Sequence, residues 1–143
     1  MKILVINGPN INLLGIREPD IYGREDYSAL KDLIGKTAEI LGVAAEEYQS
    51  NHEGDIVDKI QSARGLFDGI VINAAAYTHT SIAIPDAIKA VGIPAVEVHI
   101  SDIDKREEYR HHSFVREACI TCVKGKGISG YAEAMKILKE HIS

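Results

Sequence analysis

Apolar residues along this chain follow two periodicities, one typical of β-strands and one typical of helices. Lys2–Asn7 is a nearly continuous apolar run that stops at Gly8, which predicts a strand buried on both faces. After a polar segment that extends to Tyr27, helical spacing predicts a helix with Ser28 as its N-cap and Gly42 just beyond its end. The positions at this spacing are Leu30, Leu33, Ile34, Thr37, Ile40 and Leu41.

The same alternation continues through the rest of the chain. Further strands are predicted over Val43–Gln49, Gly69–Asn73, Ala95–Ile100 and Ala118–Lys124. Further helices are predicted around Ile56, Val57, Ile60 and Ala63 (closed by Gly65), over Ser81–Val91 (with Pro85 early and Gly92 after its end) and over Ile128–Ile142. Five strands that alternate with helices predict an α/β fold: a flavodoxin-like doubly wound sheet of five parallel strands with helices on both faces. Five units are too few for a closed eight-stranded barrel.

Length and charge narrow the class of protein. The 143 residues suit a single domain, so we expect one domain over residues 1–143. A net charge of −5 argues against partners such as nucleic acid or an anionic membrane. No apolar run approaches the roughly 20 residues of a membrane helix, and the start of the chain does not resemble a signal peptide. We therefore expect a cytoplasmic protein.

Polar side chains concentrate where the predicted strands end. In open parallel sheets, ligands bind beyond the carboxyl ends of the strands. The loop after the first strand is long, and it carries Arg17 and Tyr22. Two interpretations are open. Arg17 can form an ordinary surface ion pair while Tyr22 packs against the core, or Tyr22 can be a base whose pKa the guanidinium of Arg17 lowers.

Two further loops carry groups suited to proton transfer and anion binding. Asn73–Ser81 places an amide and His79 at the start of a helix, where anions and hydroxyl groups are well bound. Glu97 and His99 share one face of a strand, so the carboxylate can support the imidazole as a general acid. Arg106 and Arg110 follow, at the spacing of neighbours on one helical face.

Three other patterns carry weaker signals. Gly125–Gly130 matches G-x-G-x-x-G but lacks the strand and acidic residue that a dinucleotide site needs, which favours a tight turn. Cys119 and Cys122 form one C-x-x-C within a predicted strand, which favours two reduced structural cysteines. The chain contains histidines and carboxylates that could bind a metal ion. Their spacing matches no recognised metal-binding motif, so we expect no metal. These histidines and carboxylates are His79, His99, His111, His112, Asp86 and Glu97.

Four blocks of the sequence together resemble the type II 3-dehydroquinate dehydratases. They are Gly8–Gly23, Gln49–Gly54, Ala76–Ser81 and Glu97–Ser101, the last followed by Arg106, Glu107, Arg110 and His111. The blocks occur in the family's order, and the resemblance covers essentially the whole chain. It implies a cofactor-independent hydro-lyase of the shikimate pathway of aromatic amino acid biosynthesis. The reaction would be trans-elimination of water from 3-dehydroquinate through an enolate, giving 3-dehydroshikimate.

The resemblance also implies a role for each residue of the site. Tyr22 would be the base that removes the C2 proton, and Arg17 would lower its pKa. Asn10 would position a water on the enolate oxygen, and His99, oriented by Glu97, would protonate the departing C1 hydroxyl. The residues implied to bind substrate are Asn73, Ile100 and Ser101 at its carboxylate, and His79, Arg110 and Asp86 at its ring hydroxyls. Asp86 would come from a neighbouring subunit of a homododecamer built from trimers.

The sequence departs from the family pattern at four positions, Ala74, Ala75, Pro85 and Asp102. A Schiff-base mechanism is disfavoured because no lysine lies in the three loops. Two other classes stay open at this point. One is a non-catalytic flavodoxin-like module that binds flavin or phosphate, and the other is a metal-dependent hydrolase.

Overall fold

Within the described part of the chain, five β-strands run parallel in one sheet, and the order β2-β1-β3-β4-β5 is the flavodoxin-like order. The computed structural model describes residues 1–16 and 25–143. The strands are β1 (Lys2–Asn7), β2 (Ala44–Gln49), β3 (Gly69–Asn73), β4 (Ala95–His99) and β5 (Thr121–Lys124). The predicted fold class is confirmed.

Helices cover both faces of this sheet. They are α1 (Tyr27–Leu41), α2 (Glu53–Ser62), α3 (Ala83–Val91) and α4 (Ser129–Ile142) within the described ranges. Helices α1 and α4 pack on the face that carries Ile3, Val5 and Val71, and α2 and α3 pack on the face that carries Leu4 and Ile72. In this part of the chain no helix is both long and apolar enough to span a membrane.

Helix α1 begins and packs differently from its prediction. Asp26, not Ser28, is the N-cap, and its Oδ1 accepts the Ala29 N–H at 2.8 Å. The buried stripe contains Leu30, Ile34 and Ala38, whereas Ile40 is 84% exposed. At about 100° per residue Ile40 lies off this stripe, so its apolar character does not place it in the core. The predicted end of the helix is confirmed, because Gly42 follows it in the left-handed conformation.

Strand β5 is shorter than predicted. Val115–Ala118 forms a 3-10 turn, and pairing with β4 covers only Thr121–Lys124. The physical reason is the start of β4 at Ala95, whose carbonyl already accepts the Ile120 N–H, so earlier residues have no strand beside them. Cys119 therefore lies outside the strand, and both cysteines are free.

Two turns near the carboxyl edge of the sheet also clarify the sequence patterns. The G-x-G-x-x-G segment forms the tight turn between β5 and α4, with Gly125 and Gly127 in the left-handed conformation. The single helical face expected for Arg106 and Arg110 is wrong. Two separate 3-10 turns, Ile103–Lys105 and Glu108–Arg110, flank an extended Arg106.

Pro85 is the third residue of α3, where a helical N–H has no intrahelical partner, so it removes no hydrogen bond.

Candidate active site

A cavity of about 140 Å³ lies beyond the carboxyl ends of β1, β3 and β4. Its walls come from three loops, and polar groups from all three face the same space. Seven of the residues predicted for the site line it: Asn10, Asn73, His79, His99, Ile100, Ser101 and Arg110. The remaining lining residues are Pro9, Ile11, Ala75, Ala76, Ile103 and Arg106.

The first two loops meet through an unusually close backbone contact at Gly8. Its N–H donates to the carbonyl of Asn73 at 2.7 Å, and a Cβ at Gly8 would lie 2.4 Å from the carbonyl oxygen of Ala74. Only glycine allows this approach. Asn10 follows in the left-handed conformation, with φ of 70°, and its N–H donates to Asn51 Oδ1 at 3.1 Å. Asparagine adopts this conformation more readily than most residues, so the sequence suits a sharp turn at the rim of the cavity.

His99 and Glu97 form a buried pair at the end of β4. Nε2 of His99 lies 3.0 Å from Oε2 of Glu97, which confirms that the two side chains share one face of the strand. Glu97 is fully buried and does not line the cavity, whereas His99 does. Because Nε2 is held by the carboxylate, Nδ1 is the ring nitrogen left for a ligand. This geometry suits an imidazole that transfers a proton while a carboxylate holds its orientation.

Glu97 has two further partners that keep it ionised. Ser113 Oγ donates to Oε2, and Arg116 Nε donates to Oε1 at 3.1 Å. Burial is the largest influence on this carboxyl and opposes ionisation. The hydrogen bond and charge of His99 and the hydrogen bond of Ser113 outweigh it, and bring the pKa of Glu97 down to about 2. Glu97 is therefore a carboxylate at neutral pH.

The same cluster contains donor atoms of the types that bind metals. Within residues 1–16 and 25–143, one group of Glu97, His99 and Cys122 has its ligand atoms within 4.8 Å of one another. However, Arg116 donates to both Glu97 and Cys122, the latter at 3.4 Å, so a guanidinium already supplies the positive charge. Burial also raises the pKa of the Cys122 thiol to about 12, which leaves no thiolate. The donor set thus fits an arginine better than a divalent cation.

His79 presents a hydrogen-bond acceptor to the cavity. Its Nδ1 lies 2.8 Å from the carbonyl of His112, and a carbonyl accepts only, so Nδ1 carries the proton. Burial lowers the pKa of His79 below its ordinary value, and the charges of His99 and Arg110 act in the same direction. The neutral ring therefore offers the lone pair of Nε2, which suits a hydroxyl group on a ligand.

Asn73 lies at one end of a buried hydrogen-bond network of three neutral side chains, which ends at the carboxylate of Glu47. Its Nδ2 donates to the hydroxyl of Tyr131 at 2.9 Å, and that hydroxyl donates to Asn7 Oδ1 at 2.6 Å. Nδ2 of Asn7 donates to the carboxylate of Glu47 at 3.2 Å, which sets the donor direction of the whole network because a carboxylate only accepts. Asn73 Oδ1 accepts the N–H of Ala75 at 3.1 Å. The second N–H of Asn73 is therefore available to an acceptor in the cavity.

Two arginines among the described residues line this small cavity and contribute positive charge. Arg106 Nη1 lies 3.4 Å from Ser101 Oγ, and Arg110 Nε donates to Glu107 at 2.9 Å. Asp102 caps the turn before Arg106, because its Oδ1 accepts the Asp104 N–H at 3.1 Å. Together with the amide of Asn73, this composition suits a small carboxylate that also bears hydroxyl groups.

The remaining predicted site residues are placed less directly. Asp86 is exposed on α3 and does not line the cavity. Arg17 and Tyr22 lie outside the described residues. Their predicted roles as base and activator stay predictions.

Several residues that support the site were missed by the sequence reasoning. Tyr131 lies at helical spacing from core residues, which indicates that its side chain is buried. Because a buried tyrosine hydroxyl needs a hydrogen-bond partner, this spacing could have pointed to a polar contact in the core. Glu97 within an apolar strand likewise required a buried partner. No local pattern could have identified Ser113 and Arg116 as that partner, since they are 16 and 19 residues away.

Comparisons with known proteins show the family of the chain. The sequence model of the family described as dehydroquinase class II matches residues 1–139. A 3-dehydroquinate dehydratase of Clostridium perfringens is 54% identical over 143 residues, 99% of this chain and 98% of its own length. The catabolic 3-dehydroquinase 1 of Aspergillus terreus is 51% identical over 142 residues, 99% of this chain and 91% of its own. The crystal structure of type II dehydroquinase from Butyrivibrio crossotus DSM 2876 superposes with a TM-score of 0.95 at 51% identity, and covers 96% of this chain and 97% of that one. This chain belongs to the class II dehydroquinase family.

Proposed function

We propose that this chain is a 3-dehydroquinate dehydratase, which eliminates water from 3-dehydroquinate to give 3-dehydroshikimate. The observation that carries the proposal is the position of His99, held by Glu97 at 3.0 Å, in a cavity lined by Arg106, Arg110 and Asn73. This cavity offers an acid for the leaving hydroxyl and donors for a carboxylate. The relatives named 3-dehydroquinate dehydratase support the same substrate.

In the proposed reaction, Tyr22 as tyrosinate removes a proton from C2, and the electron pair passes to the ketone oxygen as an enolate. Asn10 positions a water that donates a hydrogen bond to this oxygen. The enolate then returns its electrons to form the new C1–C2 double bond, and the C1–O bond breaks. His99 donates its proton to the departing hydroxyl, which leaves as water. Arg17 would keep Tyr22 ionised.

Substrate binding divides between two sides of the cavity. The carboxylate of the substrate would accept hydrogen bonds from Asn73 and from the backbone N–H groups of Ile100 and Ser101, all of which line the cavity. The ring hydroxyls would contact His79, whose Nε2 accepts, and Arg110. No step requires a cofactor or a metal ion.

The proposed role belongs to the shikimate pathway. The same elimination also serves the breakdown of quinate, and the matched relatives include enzymes with both kinds of name. The chemistry of the site is the same in either role.

We also propose that the protein is a homododecamer built from trimers, in which Asp86 reaches the active site of a neighbouring subunit. Its position supports this, because Asp86 is exposed on α3 and away from the cavity of its own chain. Light scattering tests the assembly. If Asp86→Ala leaves KM unchanged in the assembled protein, this residue has no role in substrate binding.

The decisive test is a direct assay of the purified protein. We expect absorbance in the near ultraviolet to rise on addition of 3-dehydroquinate, because the product is a conjugated enone. His99→Ala and Tyr22→Phe should fold but lose turnover. A wild-type protein without any absorbance change would overturn the proposal in favour of a binding module, and an unaffected Tyr22→Phe would assign the base elsewhere.

A borohydride assay separates this mechanism from one through an imine. Among the described residues that line the cavity there is no lysine, so reduction in the presence of substrate should leave activity intact. Inactivation would instead indicate a covalent Schiff base with a lysine. Dialysis against a chelator should likewise leave the rate unchanged, whereas its loss would favour a metal-dependent hydrolase.

A further inference from the structure

The buried carboxylate of Glu97 is held from two sides. On the cavity side, His99 Nε2 lies 3.0 Å from Oε2. On the far side, Arg116 Nε donates to Oε1 at 3.1 Å, and Ser113 Oγ donates to Oε2. Arg116 does not line the cavity, so it has no contact with a substrate bound there. Arg116 therefore acts on the reaction indirectly, through its contact with Glu97 and through its charge.

A carboxylate that orients an acidic imidazolium has two opposing effects on the reaction. A buried carboxylate beside an imidazolium stabilises the proton that the imidazolium has to give up. A second positive charge on the same carboxylate competes for its negative charge and also repels the imidazolium. The orientation from Glu97 is retained, while its tendency to hold the proton is reduced.

We propose that Arg116 is a positioning residue of the dehydration, which binds the far side of Glu97 so that this carboxylate orients His99 without retaining its proton. The inference rests on the proposed function of His99 as the acid. Ser113 is part of the same set of contacts to Glu97, because its Oγ also accepts the backbone N–H of Arg116 at 3.0 Å. One turn of chain therefore supplies both donors to Glu97 and fixes their relative positions.

Among the residues that the structure describes, the other charged and titratable groups near His99 do not change when Arg116 is replaced. His79 stacks 6.5 Å away between ring centroids, and its neutral form adds no charge. Lys124 is opposite His99 in the sheet, but its ammonium pairs with Asp104. Cys122 stays a neutral thiol because burial raises its pKa to about 12. Arg106 and Arg110 line the cavity, and they are unchanged when Arg116 is replaced.

The experiment compares Arg116→Gln with Arg116→Lys by NMR titration of the His99 imidazole, assigned by its loss in His99→Ala. We expect Arg116→Gln to raise the pKa of His99 by about one unit, since a nearby charge typically has an effect of this size or more. The basic limb of the kcat pH profile should move upward by the same amount. Arg116→Lys should restore both values most of the way. If Arg116→Gln does not fold, Ser113→Ala provides the same test, with a smaller shift in the same direction.

The matched control is Arg64→Gln, which removes the same charge from an exposed arginine between α2 and β3. Arg64 precedes the start of β3, whereas the cavity lies beyond the carboxyl ends of the strands. Arg64→Gln should leave the titration of His99 unchanged. A pKa of His99 that stays the same or falls in Arg116→Gln would overturn the inference, even if turnover drops, because a purely structural role predicts that pattern. The NMR titration needs no turnover. An inactive wild-type protein would therefore refute the proposed function and leave this measurement interpretable.

Discussion

The two sides of the cavity, one at β4 and the other at β1 and β3, carry their polar groups in different ways. At the end of β4, Glu97 lies among ionisable partners, with Arg116 behind it and His99 in front. At the ends of β1 and β3, Asn7, Tyr131 and Asn73 form a network of neutral hydrogen bonds. The first arrangement can move a proton, because the imidazole of His99 can give one up beside a carboxylate that stays ionised. The second can only hold a fixed pattern of donors.

This contrast separates chemistry from binding within one small cavity. A charge is costly to bury, and the carboxylate of Glu97 at β4 is compensated by the guanidinium of Arg116 and by the hydrogen bond from Ser113. The neutral network is buried at lower cost, and it keeps the Asn73 amide in a single orientation. Changes at β4 should therefore affect turnover most, and changes at β1 and β3 should reduce stability with less effect on turnover.

The largest expected effect comes from removal of the charge at β4. Glu97→Gln should lower kcat by about 10²–10⁴-fold, because His99 loses the carboxylate that orients it as an acid. Steady-state kinetics with 3-dehydroquinate measure the loss, and urea unfolding at neutral pH verifies the fold. Glu133→Gln, which breaks a surface pair with Lys126, is the control and should be unaffected. A nearly normal rate in Glu97→Gln would place the proton transfer elsewhere.

A second difference should be visible in the pH dependence of stability. The pKa of Glu97 falls from 4.5 to about 2 on folding, so its contribution is complete above about pH 4.5 and is lost as the pH falls towards 2. This contribution is on the order of 3 kcal/mol. The free energy of unfolding, measured in urea across this range, should therefore fall more steeply for the wild type than for Glu97→Gln. Equal slopes would show that Glu97 is not stabilised as a carboxylate.

A change in the neutral network of Asn7, Tyr131 and Asn73 should reduce stability and have less effect on turnover. Tyr131→Phe leaves Asn7 and Asn73 each without one buried partner, which should reduce the free energy of unfolding by about 1–3 kcal/mol. We expect a smaller change in kcat than for Glu97→Gln, together with a higher KM. Tyr109→Phe removes a hydroxyl from an exposed tyrosine and should change neither value. A kcat loss as large as that of Glu97→Gln would contradict the division between the two sides.

The smallest expected effect tests the backbone of the neutral side. Ala75 has a φ of 52°, a conformation that glycine adopts without strain. Ala75→Gly should stabilise the fold by about 0.5 kcal/mol, because relief of this strain slightly exceeds the entropic cost of glycine. Ala76→Gly, at a position without positive φ, should instead destabilise it. Thermal unfolding of both variants measures the difference, and destabilisation of equal size in both would exclude strain at Ala75.

Much of the fold could be predicted from the sequence because its elements are local patterns. Strands β1 and β3 have their predicted bounds, since each is an apolar run that ends at an asparagine. The start of α1 and the length of β5 were wrong for non-local or subtle reasons. Asp26 competes with Ser28 for the cap, and β5 is limited by where β4 begins.

The site divides in the same way. The proximity of Glu97 and His99 could be predicted because side chains two residues apart on a strand share a face. The convergence of Asn73, His79 and Arg110 followed from the rule that parallel strands present their carboxyl ends at one edge. The helical spacing of Arg106 and Arg110 misled, because an extended residue separates two short turns.

The sequence by itself determined the alternation of strands and helices, the edge of the sheet where ligands bind and the residue types that meet there. All of these depend on periodicity or on short spacings. Only the tertiary structure decided which groups compensate the buried charge of Glu97 and which hold the Asn73 amide. Arg116 is 19 residues from Glu97, and Tyr131 is 58 residues from Asn73. Those pairings depend on how separate elements pack, and packing is a property of the whole core rather than of any segment of the chain.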